Sequence, residues 1–183
     1  MREQNNTDIE LGRFISLILR HKPEAVGIKL DSNGWADVDK LISGINKCGK
    51  KINMEILERI VHENNKQRYS FDETHTKIRA NQGHSVNVDV ELKESIPPDK
   101  LYHGTATRFL DSIKKNGITK QSRQHVHLSA DKETATAVGK RHGKPVVLVI
   151  DTAKMRADGC KFYISENGVW LCDDISWKYI SEE

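Results

Sequence analysis

The sequence predicts an α+β protein built as two lobes, and three observations carry that prediction. Apolar residues recur at helical spacing through the first 64 positions. Two short strand-like runs follow them. Beyond a paired proline, the chain changes to short β-rich runs separated by helices or turns.

Taken in order, Leu11, Phe14, Ile15 and Ile18 mark a first helix, with Thr7 and Glu10 as a capping box at its start and Pro23 ending it near His21. The polar run Met1–Asn6 ahead of it is expected to be disordered. Asp31-Ser32-Asn33-Gly34 reads as a turn leading to Trp35-Ala36. Two amphipathic helices follow over 37–47 and 53–64, burying Leu41, Ile42, Ile45 and Ile56, Leu57, Ile60, Val61. Residues 68–71 and 76–79 make a hairpin whose loop is Asp72–His75. Three helices and a hairpin outline a winged helix-turn-helix, which by itself does not establish nucleic-acid binding. Composition shifts over Lys93–Lys100, where Pro97-Pro98 interrupts regular structure, so the lobes are placed at 1–95 and 96–183. The second lobe starts with a strand through Leu101–Thr105 and a helix over 108–116 that Gly117 caps. Strands over 125–129, 146–151 and 169–172 follow, with a helix over 132–141.

Among 183 residues, 37% are hydrophobic and 30% charged, the balance of a folded globular chain. A net charge of +3 permits an anionic partner without demanding one. Cys48, Cys160 and Cys172 form no CxxC pair and read as buried, inert thiols of a reducing compartment. With no apolar run of membrane-spanning length and no signal pattern, a cytoplasmic protein without membrane contact is expected.

Three clusters carry candidate chemistry. The run Ile78-Arg79-Ala80-Asn81-Gln82-Gly83-His84-Ser85 packs a cation, amides, an imidazole and a hydroxyl around a glycine, and reads as unsuited to filling a core. Arg79 offers a planar fork for phosphate oxygens, with Gln82, His84 and Ser85 as neutral helpers; the alternative is a solvated polar loop. Arg20-His21 is either a basic helix cap or part of the same function. In Arg123–Ser129, strand alternation puts Arg123, His125, His127 and Ser129 on one face, lining a cleft or simply exposed. His125 and His127 lack a third ligand at customary spacing, so no metal is expected. Neither GxGxxG nor a P-loop occurs, which disfavours Rossmann dehydrogenases and P-loop kinases.

Leu19-Arg20-His21-Lys22-Pro23, IRANQGHS from Ile78, YHGT from Tyr102, RQHVHLS from Arg123, RHGKPVVL from Arg141 and ENGVWL from Glu166 occur in this order. With these motifs the chain closely resembles the NAD-dependent RNA 2′-phosphotransferases, the family that includes the enzyme completing fungal tRNA splicing. The likeness runs from about Leu11 to Ile180. It implies a winged-helix RNA-binding lobe and an ADP-ribosyltransferase-like NAD-binding lobe with a cleft between them. The family's Arg-His-Arg-Arg set falls on Arg20, His21, Arg79 and Arg123. Arg20, His21, Arg79, Gln82 and His84 would hold the RNA phosphate. His103, Gly104, Thr105, His127, Ser129, Arg141 and Gly143 would hold NAD, with RNA contacts also at basic positions such as Lys66 and Arg68.

The activity implied is removal of an internal RNA 2′-phosphate in two steps. The phosphate attacks the nicotinamide-bearing ribose carbon of NAD, giving 2′-phospho-ADP-ribosylated RNA. Transesterification then releases 2′-OH RNA and ADP-ribose 1″,2″-cyclic phosphate. A phosphomonoester with a second pKa of roughly 6 is already dianionic near neutrality, so clusters rich in Arg and His but lacking glutamate suit the first step. Two rivals remain: ADP-ribosylation of nucleic-acid terminal phosphates or of protein without the second step, and a non-enzymatic RNA- or DNA-binding module. A monomer is expected.

Overall fold

The computed structural model describes residues 2–64 and 66–182, and the chain divides into two compact units, one up to Glu91 and one from Leu92. Both mix helices with small antiparallel sheets, the α+β class.

In the first unit, α1 (Arg2–Arg20) buries Leu11, Ile15, Ile18 and Leu19 on one stripe. It begins ahead of the expected capping box, so Thr7 and Glu10 lie inside it and the backbone from Arg2 is helical rather than disordered; Met1 is outside the described residues. Pro23 holds Lys22 at φ −141° and opens a short 3-10 turn, Pro23–Val26, which ends the helix as expected. The next two helices are each capped at the N-terminus by a side chain. Asp37 accepts from Lys40 N at 2.8 Å before α2 (Val38–Lys47), and Asn53 accepts from Ile56 N at 2.9 Å before α3 (Met54–His62). Arg59 of α3 grips Asp8 of α1 with two bonds of 2.9 and 3.1 Å.

The hairpin is β2 (Tyr69–Phe71) and β3 (Lys77–Ala80), and the two-residue β1 (Ala36–Asp37) pairs with β3 to complete a sheet in the order β1-β3-β2. Its register sets Ala36 opposite Ile78 and Ser70 opposite Arg79. The Asp72 carboxylate collects Lys77 N and the Thr74 and Thr76 hydroxyls in the loop, which holds it below the usual carboxylate range. The run at Ile78 is not the solvated loop that its composition allows. Ile78, Arg79, Ala80, Asn81 and His84 are all buried, because β3 is the central strand and its exit lies under α1.

The second unit contains β4 (Lys93–Glu94), β5 (Lys100–Ala106), α4 (Leu110–Asn116), β6 (Val126–Leu128), α5 (Lys132–Gly139), β7 (Pro145–Asp151), α6 (Thr152–Ala157), β8 (Phe162–Ile164), β9 (Trp170–Cys172) and β10 (Ile180–Glu182). Its sheets run β10-β7-β5 and β4-β8-β9-β6. Because Lys93 pairs with Ile164, the stretch ahead of Pro97-Pro98 belongs to this unit. The sheets meet where Tyr102 and Ser129 exchange both backbone bonds, at 2.9 and 2.8 Å. Helix α5 lies directly on β5. A Cβ on Gly104 would stand 1.7 Å from Ala135 O, and one on Gly139 2.5 Å from Thr105 O, so only glycine admits this approach. Leu101, Leu128, Leu148, Ile150 and Phe162 fill the core.

Two expectations need correction, and several elements carried no expectation. Strand β6 starts only at Val126, so Arg123 and His125 sit in the bends before it, and no pleat sets the face of Arg123. Only Cys172 is a buried thiol, pushed up to about 12 chiefly by burial; Cys48 is exposed and Cys160 half-buried. Strands β1, β4, β8 and β10 and helix α6 arise where no periodic run was long enough to read. Among the described residues, no helix is long and apolar enough to cross a membrane.

Candidate active site

In the first unit, the end of α1, the end of β3 and the turn after it bring Arg20, His21, Arg79 and His84 together. Ser85 fastens this arrangement. Its N–H donates to Arg20 O at 2.9 Å, and its hydroxyl lies 2.9 Å from His21 Nδ1. Arg20 and His21 are half-buried. Arg79 is 7% exposed, its guanidinium 4.5 Å above the Trp35 ring and 3.2 Å from Glu91 Oε2. A desolvated cation on an indole face is held by the ring quadrupole, which fixes the plane of the fork. Glu91 keeps 63% of its side chain exposed, so this carboxylate is the movable partner.

The turn Asp31–Gly34 delivers Trp35 to this place. Asp31 Oδ1 accepts from Asn33 N and Trp35 N at 3.0 and 2.9 Å. His84 is 1% exposed, and its pKa is lowered to about 4, first by burial and then by the positive charges of Arg20, His21 and Arg79. Thus three of the four expected catalytic side chains converge on a neutral imidazole, and the site is strongly biased toward an anion.

The neighbours divide the labour. Asn81 ties down the hairpin: its amide donates to Gln67 O at 2.8 Å and its carbonyl accepts from Ser70 Oγ at 2.8 Å. Gln82 is half-buried in the following turn. Trp35 and Glu91 carried no signal in the sequence, since each reaches Arg79 only through tertiary folding. Ser85 stood in the same run as Arg79, but its bond to His21 depends on how that turn crosses the end of α1. Arg68 is half-buried and donates to Asn64 Oδ1 at 3.1 Å.

The second unit carries the other expected residues. Arg123 is exposed in a turn, its N–H on Lys120 O at 3.0 Å. The Tyr102–Ser129 exchange sets β5 beside β6, which brings His103, Gly104 and Thr105 together with His127 and Ser129. His103 Nδ1 donates to His127 O at 3.1 Å, so its Nε2 is left as an acceptor. Burial lowers the His103 pKa, and His142 lowers it further, against the opposing pull of the His127 carbonyl. His127 Nδ1 in turn donates to His125 O at 3.1 Å. The Gly104 backbone is covered by α5 and Thr105 is 5% exposed, so packing alone accounts for the glycine. Arg141 and Gly143 are exposed after α5; a Cβ on Gly143 would be 3.7 Å from Ala106 Cβ, at the far end of β5.

Residues 6–174 match the family model described as RNA 2′-phosphotransferase, Tpt1/KptA family. Similar proteins include a probable RNA 2′-phosphotransferase of Fusobacterium nucleatum, 62% identical over 176 residues that cover 96% of this chain and 98% of that protein. Proteins of the same name from Flavobacterium johnsoniae and Agrobacterium fabrum are 52% and 50% identical, over 93% and 92% of this chain and 93% and 91% of theirs. The chain belongs to the RNA 2′-phosphotransferase, Tpt1/KptA family.

Proposed function

We propose that this protein removes an internal 2′-phosphate from RNA by transferring it to NAD, releasing nicotinamide, 2′-OH RNA and ADP-ribose 1″,2″-cyclic phosphate. The observation that carries the reading is the convergence of Arg20, His21 and Arg79 around a buried neutral histidine, in a chain of this family. The first unit, three helices with a β1-β3-β2 sheet, reads as the winged-helix RNA lobe, and the second as an ADP-ribosyltransferase-like lobe.

The residues supply alignment and charge more than proton abstraction. A dianionic phosphate needs no base to attack the nicotinamide-bearing ribose carbon of NAD, and Arg79, rigid on Trp35, is suited to hold it at fixed geometry. In the second step the ribose 2″-hydroxyl attacks phosphorus and the RNA 2′-oxygen leaves. Arg20 and Arg123 stabilise the charge developing on the phosphoryl oxygens. His21, its ring steadied by Ser85, positions the phosphate or moves the proton in that step. In the second unit, the acceptor Nε2 of His103 fits a ribose hydroxyl, and the hydroxyl of Ser129 lies on the neighbouring strand end. Thr105, His127, Arg141 and Gly143 complete the proposed NAD contacts, while Gly104 serves there by letting α5 close on β5.

The test is incubation with NAD and a short RNA bearing one internal 2′-phosphate, with both products identified. The cyclic phosphate of ADP-ribose and 2′-OH RNA are expected. Accumulation of ADP-ribosylated RNA alone would instead define a transferase lacking the second step, and no consumption of NAD would overturn the reading.

A further inference from the structure

The cradle contains a polar side chain to which neither step gives work. His84 is buried, and neither of its ring nitrogens has a hydrogen-bond partner among the described residues. Buried polar groups are almost always satisfied, so an orphaned imidazole inside a cationic cluster calls for a reason.

Four stretches of chain close around it. The end of α1 contributes Arg20 and His21, β3 contributes Arg79, and the turn holding Ser85 is bonded to Arg20 and His21. From the fourth side comes Gly34, where a Cβ would lie 3.6 Å from His84 Nε2 and 3.4 and 3.5 Å from Val90 and Val88. The permanently charged groups facing His84, Arg20 and Arg79, are cationic, and Glu91, the carboxylate of this neighbourhood, is exposed and engaged with Arg79.

Guanidinium groups only donate hydrogen bonds, whereas a neutral imidazole both donates and accepts. Behind such a cluster, three simple alternatives to an imidazole each fail. A carboxylate would neutralise the cations and compete with phosphate. A further cation would drive them apart. An apolar ring would leave buried charges without a polar neighbour. An uncharged imidazole adds no charge to the cluster and keeps both ring nitrogens available beside the cations.

We propose that His84 is a positioning residue of the phosphate cradle: an imidazole that must stay unprotonated, behind Arg20 and Arg79, to set where their guanidinium groups hold the anion. The lowered pKa of His84 agrees with this role, since it keeps the ring neutral throughout the range in which the phosphate is dianionic. The inference rests on the function proposed above, in that the anion is the 2′-phosphate of RNA.

The experiment compares wild type with His84→Gln, which keeps a donor and an acceptor, and His84→Phe, which keeps a ring of similar size. Binding of an RNA with one internal 2′-phosphate is measured by calorimetry against the same RNA with a 2′-hydroxyl. KM for RNA, KM for NAD and kcat are measured alongside, with thermal unfolding as a check on folding. His84→Phe should raise Kd and KM for the RNA by about tenfold, one charge-assisted contact misplaced, with KM for NAD unchanged. His84→Gln should restore most of the loss. Wild-type affinity in a folded His84→Phe protein would overturn the proposal. A second measurement does not depend on the variants: the ring-nitrogen NMR shifts of His84 in the wild-type complex should be those of neutral imidazole at pH 7, and imidazolium shifts would overturn it. If wild type itself failed to prefer the phosphorylated RNA, the proposed function would fall, and this inference with it.

Discussion

Gly104→Ala separates a packing role from a cofactor-contact role at β5. The new Cβ would lie 1.7 Å from Ala135 O, about half the ordinary contact distance, and the obstacle is helix backbone that no side-chain rotation relieves. Helix α5 must retreat, and the contacts of the fully buried Ala135 and of Gly139 are lost with it. Overpacking of this kind costs about 1–3 kcal/mol, and a backbone obstacle belongs at the upper end. For a unit of this size, 3 kcal/mol lowers Tm by roughly 12–24 °C. Gly139→Ala meets Thr105 O at a milder 2.5 Å and regains up to about 1 kcal/mol of helix propensity, so it should cost less. Because one retreat of α5 relieves both clashes, the double variant should lose less than the two losses added. Calorimetric and urea unfolding of all four proteins checks this. A Gly104→Ala protein with wild-type unfolding and a raised KM for NAD alone would refute the packing argument.

Other outcomes follow from the cationic cradle. Arg79→Ala should raise KM for 2′-phosphorylated RNA by roughly 10- to 100-fold, from a charged hydrogen bond of about 1.5–3 kcal/mol. Arg20→Ala and Arg123→Ala should stall after ADP-ribosylation, so single-turnover assays should accumulate 2′-phospho-ADP-ribosylated RNA; normal product formation in all three variants would contradict these roles. Glu91→Gln should tighten RNA binding, by up to about fivefold, because a pair whose carboxylate stays largely in solvent is worth on the order of 1 kcal/mol and its removal leaves Arg79 to the phosphate. A weaker complex in calorimetry would count against that. The folded His84 pKa of about 4 lies below the usual 6.5, so the unfolded chain takes the proton first as pH falls. Its contribution is complete above pH 6.5 and lost toward pH 4, at most roughly 3 kcal/mol, and unfolding of His84→Gln should lack that part of the pH slope.

Much of the first unit could be read from residues alone because its signals are local. Asp37 and Asn53 cap helices three residues from the amides they accept, and Pro23 stops α1 by its own ring. The types of Arg20, His21, Arg79 and His84 also announced an anion site. Their burial did not, because it depends on β3 becoming a central strand through the two-residue β1, too short to leave a pattern. Trp35 under Arg79 was invisible for the same reason. The motif from Arg123 looked like one alternating strand, but Ile118 pairs with Ile175 and Lys120 N is held by Asp174 Oδ1 at 2.7 Å. Those long-range bonds keep the chain in turns until Val126. Gly104 shows the opposite limit: its position in a motif suggested ligand contact, while the force acting on it is the helix above.

The reciprocal bonds between Tyr102 and Ser129 act as a rivet between two sheets that are otherwise separate ladders. Protection of these two amides against solvent exchange is a shared property, since each donates to the other's residue and one opening frees both. His103 follows Tyr102 directly and His127 precedes Ser129 by two residues, both on the same side of the rivet, so their spacing is set by the local join rather than by either sheet's far edge. Loops at those edges can change length without moving this pair.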